Sequence, residues 1–514
     1  MHLTSILHLL EMVRERFVSM DALIHWLVSY GLKHKLFYSE DTIYVQNQIL
    51  NILELTELKP TQDDEKEFTL QQVLDEMCAH AVTKGLIEDT QDSKDAFDTK
   101  IMNCLMPRPS EVIKKFHDDY ASSPEQATQA YYDMSCASNY VRVDRIQKDK
   151  RWKFDTKYGQ LDITINLSKP EKDPKDIEKA KRMPTSSYPK CLLCKENEGY
   201  AGHASHPARD TLRIIPLSLG NEPYYLQYSP YAYYHQHCIV FHKEHIPMSI
   251  QKRTFESLLS FVKQFPHYFI GSNADLPIVG GSILSHDHYQ GGKYTFAMEQ
   301  AKQLERIQSN QYSSVSYGRV YWPLSVIRCR SKDEKELVQF ACNVLNKWKQ
   351  YSDESLEIMA STNGTFHHTI TPIARFKDNA FELDLVLRDN RTSEEHPDGI
   401  FHAHKQWHAI KKENIGLIEV MGLAVLPSRL KKQLEELTIC LYEHEPLQEH
   451  LQIHASWIQP LQSKCIGKTK EEIYMLLQTR VSEIFLHVLE DAGVYKQDQQ
   501  GQEGFLRFIH ALEG

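Results

Sequence analysis

The stretch GGSILSHDHYQGG, residues 280–292, is the most informative segment of this 514-residue chain. If the backbone is extended around the histidines, side chains two positions apart point to the same face. His286, His288 and Gln290 then share one face, so that two imidazoles and an amide can reach one ligand group. The flanking glycines let backbone amides approach a ligand closely, as phosphate binding requires.

A histidine in such a segment suits attack on phosphorus. The neutral imidazole is nucleophilic near pH 7, and a phosphoryl-type adduct on its nitrogen is reactive enough to be passed on. The same His-x-His spacing also occurs in surface strands and in plain metal sites. The glycines and Gln290 favour the catalytic interpretation over these two.

Cys191 and Cys194 form a second motif. Two thiolates at this spacing suit a tetrahedral zinc ion, which needs two more ligands. A redox role needs a thioredoxin-like βαβ context, which the surrounding sequence does not have. Two unrelated buried thiols are the other alternative. Histidines that can complete a metal site are plentiful further along the chain: His235, His237, His242, His245 and His286.

A third motif is a histidine-rich stretch in the second half of the chain. It can hold a second metal or bind sugar hydroxyls, and it can equally be a hydrated surface. Its members are His367, His368, His396, His402, His404 and His408, followed by Glu419.

Composition and charge limit the class of protein. Apolar residues make up 41% of the chain and charged residues 25%, which is ordinary for a globular protein. With 59 basic and 69 acidic residues the net charge is −10, which argues against a nucleic acid polymer as partner. No run of about 18 apolar residues exists, so we expect no membrane-spanning helix.

The N-terminus and the cysteines together predict a compartment. Met1 to Phe17 mixes charged with apolar residues, which is typical of an amphipathic helix rather than of a secretory signal. The ten cysteines are scattered, apart from Cys191 and Cys194, which indicates a reducing environment. We therefore expect the protein in the cytoplasm.

Periodicity divides the chain into three regions. We expect a helical N-terminal region at 1–135, a mixed centre at 136–320 that contains the nucleophile motif, and a second half at 321–514 with a helical tail. Helix starts are predicted at Thr69 with Gln72, at Ser123 before Pro124, and at Thr469 with Glu472. The polar stretch Glu88 to Lys100 is predicted as a loop.

Strands are predicted where β-type residues alternate or cluster between turn residues. The helical ends and the strand-rich centre give an α+β fold class. The predicted strands are Leu161–Leu167, Thr211–Ile215, Tyr224–Tyr228, Cys238–Phe241, Ile278–Leu284 and Phe381–Leu387.

Read together, these motifs resemble a known family. Gly280-Gly281 followed by residues 285–290 resembles the His-x-His-x-Gln signature of the transferase branch of the histidine-triad superfamily. With the segments at 188–194, 227–231, 245–248 and 411–422, the chain is similar to the galactose-1-phosphate uridylyltransferases in their longer bacterial form, type 2. The resemblance covers roughly residues 135 to 435. It implies histidine-triad-like antiparallel sheets with flanking helices.

The resemblance also implies a reaction. In this family UDP-glucose gives its uridylyl group to a histidine, glucose 1-phosphate leaves, and galactose 1-phosphate takes the group in a ping-pong sequence. By match to the motif, His288 is the nucleophile, Gln290 hydrogen-bonds the transferred phosphate, and His286 is a metal ligand or braces the site. No organic cofactor is expected.

Further site residues follow from the same match. Asn273 and Ser282 are expected to hold the UDP phosphates. A homodimer is a further expectation. The residues on the sugar side are His402, His404 and Glu419. The ligands of a structural zinc are Cys191, Cys194, His245 and His286, with His242 as the competitor of His245.

One departure and two alternatives stay open. Asp287 stands where the short form of the family has proline, and it either steadies a cationic uridylyl-histidine or faces solvent. A related nucleotidyltransferase or phosphorylase acting on another nucleotide sugar or dinucleotide is one alternative function. A zinc-stabilised, nucleotide-binding protein without turnover is the other.

Overall fold

A computed structural model of the chain describes residues 19–61, 68–168, 187–203, 205–281 and 283–513. Ser282 and the predicted helix at Met1 to Phe17 lie outside the described residues. Contacts divide the chain into two compact units, Met1–Asp144 with Pro170–Ile215, and Arg145–Lys169 with Pro216–Gly514. The predicted region boundaries after residues 135 and 320 stay predictions.

The described part of the first segment of the first unit, which ends at Asp144, is mainly helical, as predicted. Thr69 and Gln72 form the predicted capping box of α3, and Ser123 caps α6 by accepting from a backbone amide. The helices of this part of the chain are α1 (Met20–Lys33), α2 (Thr42–Ile52), α3 (Leu70–Thr83), α4 (Gln91–Asn103), α5 (Pro109–Ser122), α6 (Pro124–Ala137) and α7 (Val143–Ile146).

The loop predicted at Glu88 to Lys100 is wrong, because most of it lies in α4. The side chain of Thr90 accepts from the backbone N–H of Ser93 and starts the helix. Asp98 is buried in it and is paired with Arg142 at 2.5 Å. The partner of Asp98 lies 44 residues away in the sequence. The local sequence therefore shows mostly polar and charged residues, as a loop would, although one face of the helix is buried.

The second unit is built on antiparallel strands. The strands, in chain order, are β1 (Lys150–Thr156), β2 (Gly159–Ile165), β3 (Ile215–Leu219), β4 (Glu222–Tyr228), β5 (Cys238–His242), β6 (Phe269–Gly271), β7 (His288–Gly292), β8 (Ile307–Gln308), β9 (Ser316–Arg319), β10 (Val326–Ser331), β11 (Ser361–Thr362), β12 (Thr365–Phe366), β13 (His368–Lys377), β14 (Ala380–Asp389) and β15 (Leu423–Leu426).

Ten of these strands form one sheet in the order β3-β4-β5-β7-β6-β13-β14-β10-β9-β8. From β4 to β8 each neighbouring pair is antiparallel. β1, β2 and β15 form a second sheet, in which β15 runs parallel to β2. Strand β7, which carries the histidine motif, therefore lies inside the large sheet between β5 and β6.

Helices complete the second unit. The helix start predicted at Thr469 and Glu472 is a capping box at the head of α15. The helices are α8 (Lys252–Gln264), α9 (Ala297–Gln300), α10 (Glu334–Gln350), α11 (Leu417–Val420), α12 (Arg429–Glu443), α13 (Ala455–Ile458), α14 (Gln462–Cys465), α15 (Lys470–Ala492) and α16 (Gln499–Ala511).

One apolar core joins the two sheets and the C-terminal helices of this unit. Ile163 of β2, Ile373 of β13, Leu417 of α11 and Phe485 of α15 are all buried in it. Burial of apolar surface is the main favourable term that holds such layers together. The core holds the segment around Leu417 against the middle of the large sheet.

Two predicted strands are not observed as such. At Thr211–Ile215 the strand begins only at Ile215. The described residues of Ile278–Leu284, all but Ser282, form a loop in which Ile278 has a φ of 72°. A Cβ at Gly280 would lie 2.6 Å from the carbonyl oxygen of Ala274, so the loop folds back on itself where only glycine fits.

The predicted α+β class with antiparallel sheets and helical ends is confirmed. Among the residues described, no helix combines the length and the apolar character that crossing a membrane requires.

Candidate active site

His288 opens strand β7 and is buried. Its Nδ1 lies 2.8 Å from the backbone carbonyl oxygen of His286. A carbonyl oxygen can only accept, so Nδ1 carries the ring proton and Nε2 keeps a lone pair. Burial lowers the pKa of His288, which favours the neutral ring. The fold therefore holds the imidazole as the neutral ring with the proton on Nδ1 and a lone pair on Nε2.

Gln290 is the next residue on the same face of β7. Nε2 of His237 lies 3.2 Å from Oε1 of Gln290. When the ring N–H donates to this oxygen, the amide nitrogen of Gln290 keeps both hydrogens for a ligand. Burial lowers the pKa of His237 to about 4, so this ring is neutral near pH 7.

His237 is a residue of the candidate site that the sequence did not single out. It was predicted only as one of several histidines able to ligate zinc. Its contact with Gln290 depends on the pairing of Ile239 on β5 with Gln290 on β7. A register between strands some fifty residues apart leaves no local signal in the sequence.

Asp287 points to the opposite face of β7. Its Oδ2 accepts from the hydroxyl of Tyr224 at 3.2 Å and from Arg253 at 3.1 Å. The hydroxyl of Tyr289 lies 3.0 Å from that of Tyr224. Asp287 is 2% exposed, so the expectation that it faces solvent is wrong. Burial raises the pKa of its carboxyl, and the charge of Arg253 opposes this.

His286 precedes the strand. Its Nε2 lies 2.8 Å from the carbonyl oxygen of His242, so the proton is on Nε2 and the lone pair is on Nδ1. The ring of His245 lies with its centroid 4.8 Å from that of His286. In His242, Nδ1 accepts from the backbone N–H of Glu244 at 3.0 Å, and Nε2 lies 3.4 Å from Glu222.

Cys191 and Cys194 lie side by side in the first unit, with their sulfur atoms 3.5 Å apart. The backbone N–H of Leu193 donates to Sγ of Cys191 at 3.4 Å. The side-chain amide of Asn197 donates to both cysteine carbonyls, at 2.9 and 2.8 Å. These hydrogen bonds fold the turn so that both thiols can bind one ion.

The four predicted ligands have the chemistry of a metal site. Cys191, Cys194, His245 and His286 make up a Cys/His group that could hold a metal ion, with one ligand atom from each. Two sulfur and two nitrogen donors form a donor set of the kind that zinc prefers in structural sites.

The loop that contains Gly280 and Gly281 contacts the second half of the chain. Oδ1 of Asn273 accepts from the backbone N–H of Leu417 at 2.9 Å. The side chain of Asn414 donates to the carbonyl of Gly280 at 3.2 Å. A Cβ at Gly281 would lie 2.7 Å from the amide nitrogen of Asn273, so the two segments meet without room for a side chain. The segment that leads into α11 therefore lies against the loop before β7.

On the predicted sugar side, Glu419 and Lys411 form a buried ion pair of 2.9 Å. Glu419 lies on α11, the helix that follows the segment bound to Asn273. His402 is 2% exposed, and its Nε2 has no hydrogen-bond partner among the residues described. A buried polar atom without a partner is costly and often marks a ligand position.

His404 differs from its neighbour His402, because protein groups face both of its ring nitrogens. Nε2 lies 3.1 Å from the carbonyl oxygen of Ile400, and Nδ1 lies 3.4 Å from Asp491. Its ring stacks on that of His396 at a centroid distance of 4.1 Å. The geometry therefore gives His402 the more available nitrogen of the two.

Comparisons with known proteins are consistent with this geometry. Family models of galactose-1-phosphate uridyl transferase match the chain, the N-terminal domain over residues 35–247 and the C-terminal domain over residues 261–459. The galactose-1-phosphate uridylyltransferase of Clostridium acetobutylicum is 51% identical over 492 residues, which cover 95% of this chain and 99% of that protein. The chain belongs to the galactose-1-phosphate uridylyltransferase family. It is therefore a member of a family of transferase enzymes.

Other relatives carry the same family name. The proteins of Halalkalibacterium halodurans and Bacillus subtilis are 48% and 46% identical, and each match covers 95% of this chain. The matches span 98% and 96% of those two proteins. The family likeness thus extends beyond the motif-bearing region at 135 to 435 and includes most of the helical N-terminal part.

Among solved structures, yeast Ap4A phosphorylase Apa2 is a distant match. The match covers 63% of this chain and 91% of the yeast protein's chain, with 10% sequence identity and a TM-score of 0.33. A likeness of this size bears on neither the site nor the substrate.

Proposed function

We propose that this chain moves a uridylyl group from UDP-glucose to galactose 1-phosphate in two displacements, with Nε2 of His288 as the nucleophile. The observation that carries the proposal is the 2.8 Å hydrogen bond from Nδ1 of His288 to the carbonyl of His286. It fixes the tautomer and leaves Nε2 as the ring atom with a lone pair.

In the first displacement the lone pair of Nε2 forms a bond to the phosphorus next to the uridine. The bond from this phosphorus to the bridging oxygen breaks, and glucose 1-phosphate leaves with the electron pair. The carbonyl of His286 continues to accept from Nδ1 and stabilises the positive charge of the ring. In the second displacement a phosphate oxygen of galactose 1-phosphate attacks the same phosphorus, and Nε2 leaves with its lone pair restored.

Gln290 and His237 supply the electrostatic part. Negative charge grows on the oxygens of the phosphoryl group in transfer, and preorganised donors stabilise it there. The contact from His237 aims the amide nitrogen of Gln290 at these oxygens. We assign the same phosphates to Asn273 and Ser282, where the glycines admit backbone amides.

On the sugar side we assign Glu419 and His402 to the hexose hydroxyls. The ion pair with Lys411 orients the Glu419 carboxylate while one of its oxygens can still accept from a hydroxyl. His404 is assigned to hold the loop that carries His402, because its ring nitrogens face Ile400 and Asp491.

We propose zinc as the metal held by Cys191, Cys194, His245 and His286. When bound, it would fix His286 and hence the carbonyl that accepts from His288, as an ordered environment orients metal ligands and their neighbours. Metal analysis of the purified protein is expected to give about one zinc per chain. In Cys191→Ser we expect loss of zinc and a lower melting temperature. Full metal retention would contradict the assignment.

An exchange experiment tests the two-step reaction. The protein is incubated with UDP-glucose and labelled glucose 1-phosphate, without galactose 1-phosphate. A double displacement predicts that label enters UDP-glucose, because the first step is reversible by itself. If label enters only when galactose 1-phosphate is present, the two-step mechanism is contradicted. Labelled glucose, which lacks the phosphate, is the matched control.

Two finer expectations accompany the proposal. Among the described residues none of the ten cysteines forms a disulfide, which suits the reducing cytoplasm. The homodimer stays a prediction, which light scattering of the eluted protein can measure.

A further inference from the structure

Four arginines are buried on the large sheet, and they differ in their partners. Arg319 on β9 is paired with Glu305 at 2.9 Å. Arg328 on β10 and Arg375 on β13 both bind Asp384, at 2.7 and 2.8 Å. Arg375 also binds Glu382 at 2.6 Å. Burial is the largest single influence and lowers the pKa of both guanidinium groups, but Asp384 and Glu382 together outweigh it and raise the pKa. These two cations are neutralised within the fold.

Arg388 on β14 is buried without such neutralisation, at 1% exposure. It donates to the carbonyl of Ile415 at 2.9 Å and to the hydroxyl of Thr371 at 3.4 Å. Within the described chain, no carboxylate lies within ion-pair distance of it, and its Nε has no partner. Burial lowers its pKa to about 10, and the charge of Glu419 opposes the shift.

The local charges do not cancel Arg388 either. Glu419, the carboxylate that acts on it, is already paired with Lys411 at 2.9 Å. Lys411 also lies 3.8 Å from Glu413, whose side chain is 60% exposed. Among the buried groups, Arg388, Lys411 and Glu419, one net positive charge is therefore left beside the candidate sugar side. A buried charge normally has a partner of opposite sign, because desolvation is costly. The partner that this position lacks is an anion.

The register of the sheet places Arg388 on the face of the nucleophile. Gln290 pairs with Gly271, Gly271 with Ile373, and Ile373 with Asp384. Side chains two or four positions apart on a strand share a face. Arg388 stands four residues after Asp384, and His288 stands two residues before Gln290. The side chains of these four residues therefore lie on the same face of the large sheet.

The spacing along this face selects the group that Arg388 can reach. Three strand spacings separate β7 from β14, which is about 14 Å. The guanidinium leans back over β13, since it touches Thr371, and this shortens the span to about 10 Å. The span is too long for the phosphorus that His288 attacks. It suits the next phosphate, which stays on the hexose.

We propose that Arg388 binds the phosphate that remains on the hexose, in UDP-glucose as well as in glucose 1-phosphate and galactose 1-phosphate. This inference rests on the proposed function. A guanidinium suits the role because its planar donors match two phosphate oxygens. The contact with Ile415 links this phosphate to the segment that carries Leu417 and Glu419, which bounds the sugar side.

Isothermal titration of the full-length protein tests the inference with two probes, glucose 1-phosphate and UMP. In Arg388→Gln we expect glucose 1-phosphate to bind about tenfold to a hundredfold more weakly, since a charge-assisted pair is lost. UMP lacks the hexose phosphate, so its affinity is expected to stay within about twofold. The control Thr371→Val removes one neutral partner of Arg388 and should leave both affinities within about threefold.

Two results would overturn the inference: unchanged affinity of Arg388→Gln for glucose 1-phosphate, or an equal loss for both probes. If Arg388→Gln does not fold, Arg388→Lys decides, because it keeps the charge but loses the planar fork. A loss of about fivefold or more, confined to glucose 1-phosphate, supports the inference, and unchanged binding overturns it. Titration needs no turnover, so a wild-type protein that fails to form a uridylyl adduct would contradict the proposed function separately.

Discussion

The two faces of strand β7 are built in opposite ways. On one face, the side chains of His288 and Gln290 each hydrogen-bond to the protein through one polar atom. Within the described chain, Nε2 of His288 and the amide nitrogen of Gln290 have no protein partner. On the other face Asp287 and Tyr289 are bound in a closed network with Tyr224. The difference separates two tasks along one strand, since the open face can bind and react while the closed face fixes the backbone.

The backbone of Asp287 shows how the closed face acts. Its N–H donates to the carbonyl of Ile246 at 2.7 Å, and its own carbonyl accepts from His242 at 2.9 Å. With the side chain held by Tyr224 and Arg253 as well, the residue between the two histidines has little freedom. We infer that this rigidity positions Nε2 of His288.

The largest effect is expected from removing the reactive atom. His288→Ala should lower turnover at least about ten-thousandfold, as loss of a nucleophile commonly does. Steady-state kinetics with UDP-glucose and galactose 1-phosphate measure it. The control is Tyr289→Phe, the next residue on the closed face, which should keep turnover within about tenfold. Similar losses in both variants would remove the distinction between the faces.

A smaller loss is expected at the donor on the open face. Gln290→Ala should reduce kcat about a hundredfold to a thousandfold, because one preorganised donor to the transition state is lost. His237→Phe should reduce kcat about tenfold, since it removes only the contact that orients Gln290. Steady-state kinetics with UDP-glucose and galactose 1-phosphate measure both. A larger loss for His237→Phe than for Gln290→Ala would contradict the assigned roles.

The open face should also make the fold sensitive to acid through His237. Its pKa is about 4 in the folded protein, below the usual 6.5, so the unfolded chain binds the proton more readily between these values. Stability is therefore lost as the pH falls from about 6.5 to about 4, by about 3 kcal/mol for this group. The free energy of unfolding, measured with urea along this pH series, should fall less steeply in His237→Gln than in the wild-type protein. Parallel dependences of the unfolding free energy on pH in the two proteins would contradict the contribution of His237 to the acid sensitivity.

The smallest effect is expected on the closed face. Tyr224→Phe removes the hydroxyl that joins Asp287 to Tyr289. We expect a loss of about 1–2 kcal/mol in the free energy of unfolding, because buried polar groups lose a partner. Turnover should change less than about tenfold. Thermal unfolding and steady-state kinetics on the same samples compare the two, and a large kinetic loss at unchanged stability would count against the purely structural role.

Local patterns predicted much of this molecule. The capping boxes at Thr69 and Thr469 mark helix starts that need only neighbouring residues. The alternation at Phe381–Leu387 lies within β14. The shared face of His288 and Gln290 follows from the period of one strand. In each case the physical cause lies within a few residues of the signal.

The failures have causes that lie far along the chain. The helix at Gln91–Asn103 buries Asp98 because Arg142 pairs with it. Residues 278–281, at the start of the apolar run predicted as a strand, form a loop because Gly280 packs on Ala274. His237 and Arg388 gain their places from strand registers, and no local pattern reveals which strands will be neighbours. Tertiary pairing thus decided what the sequence alone did not predict.

Intact mass measurement after incubation with UDP-glucose alone is the most direct test of the central claim. We predict a gain of one uridylyl group on the peptide that contains His288, and its loss when galactose 1-phosphate is added. His288→Ala should show no gain. Protein that binds UDP-glucose but gains no mass, or that carries the group on another peptide, would contradict the assignment of His288 as the nucleophile.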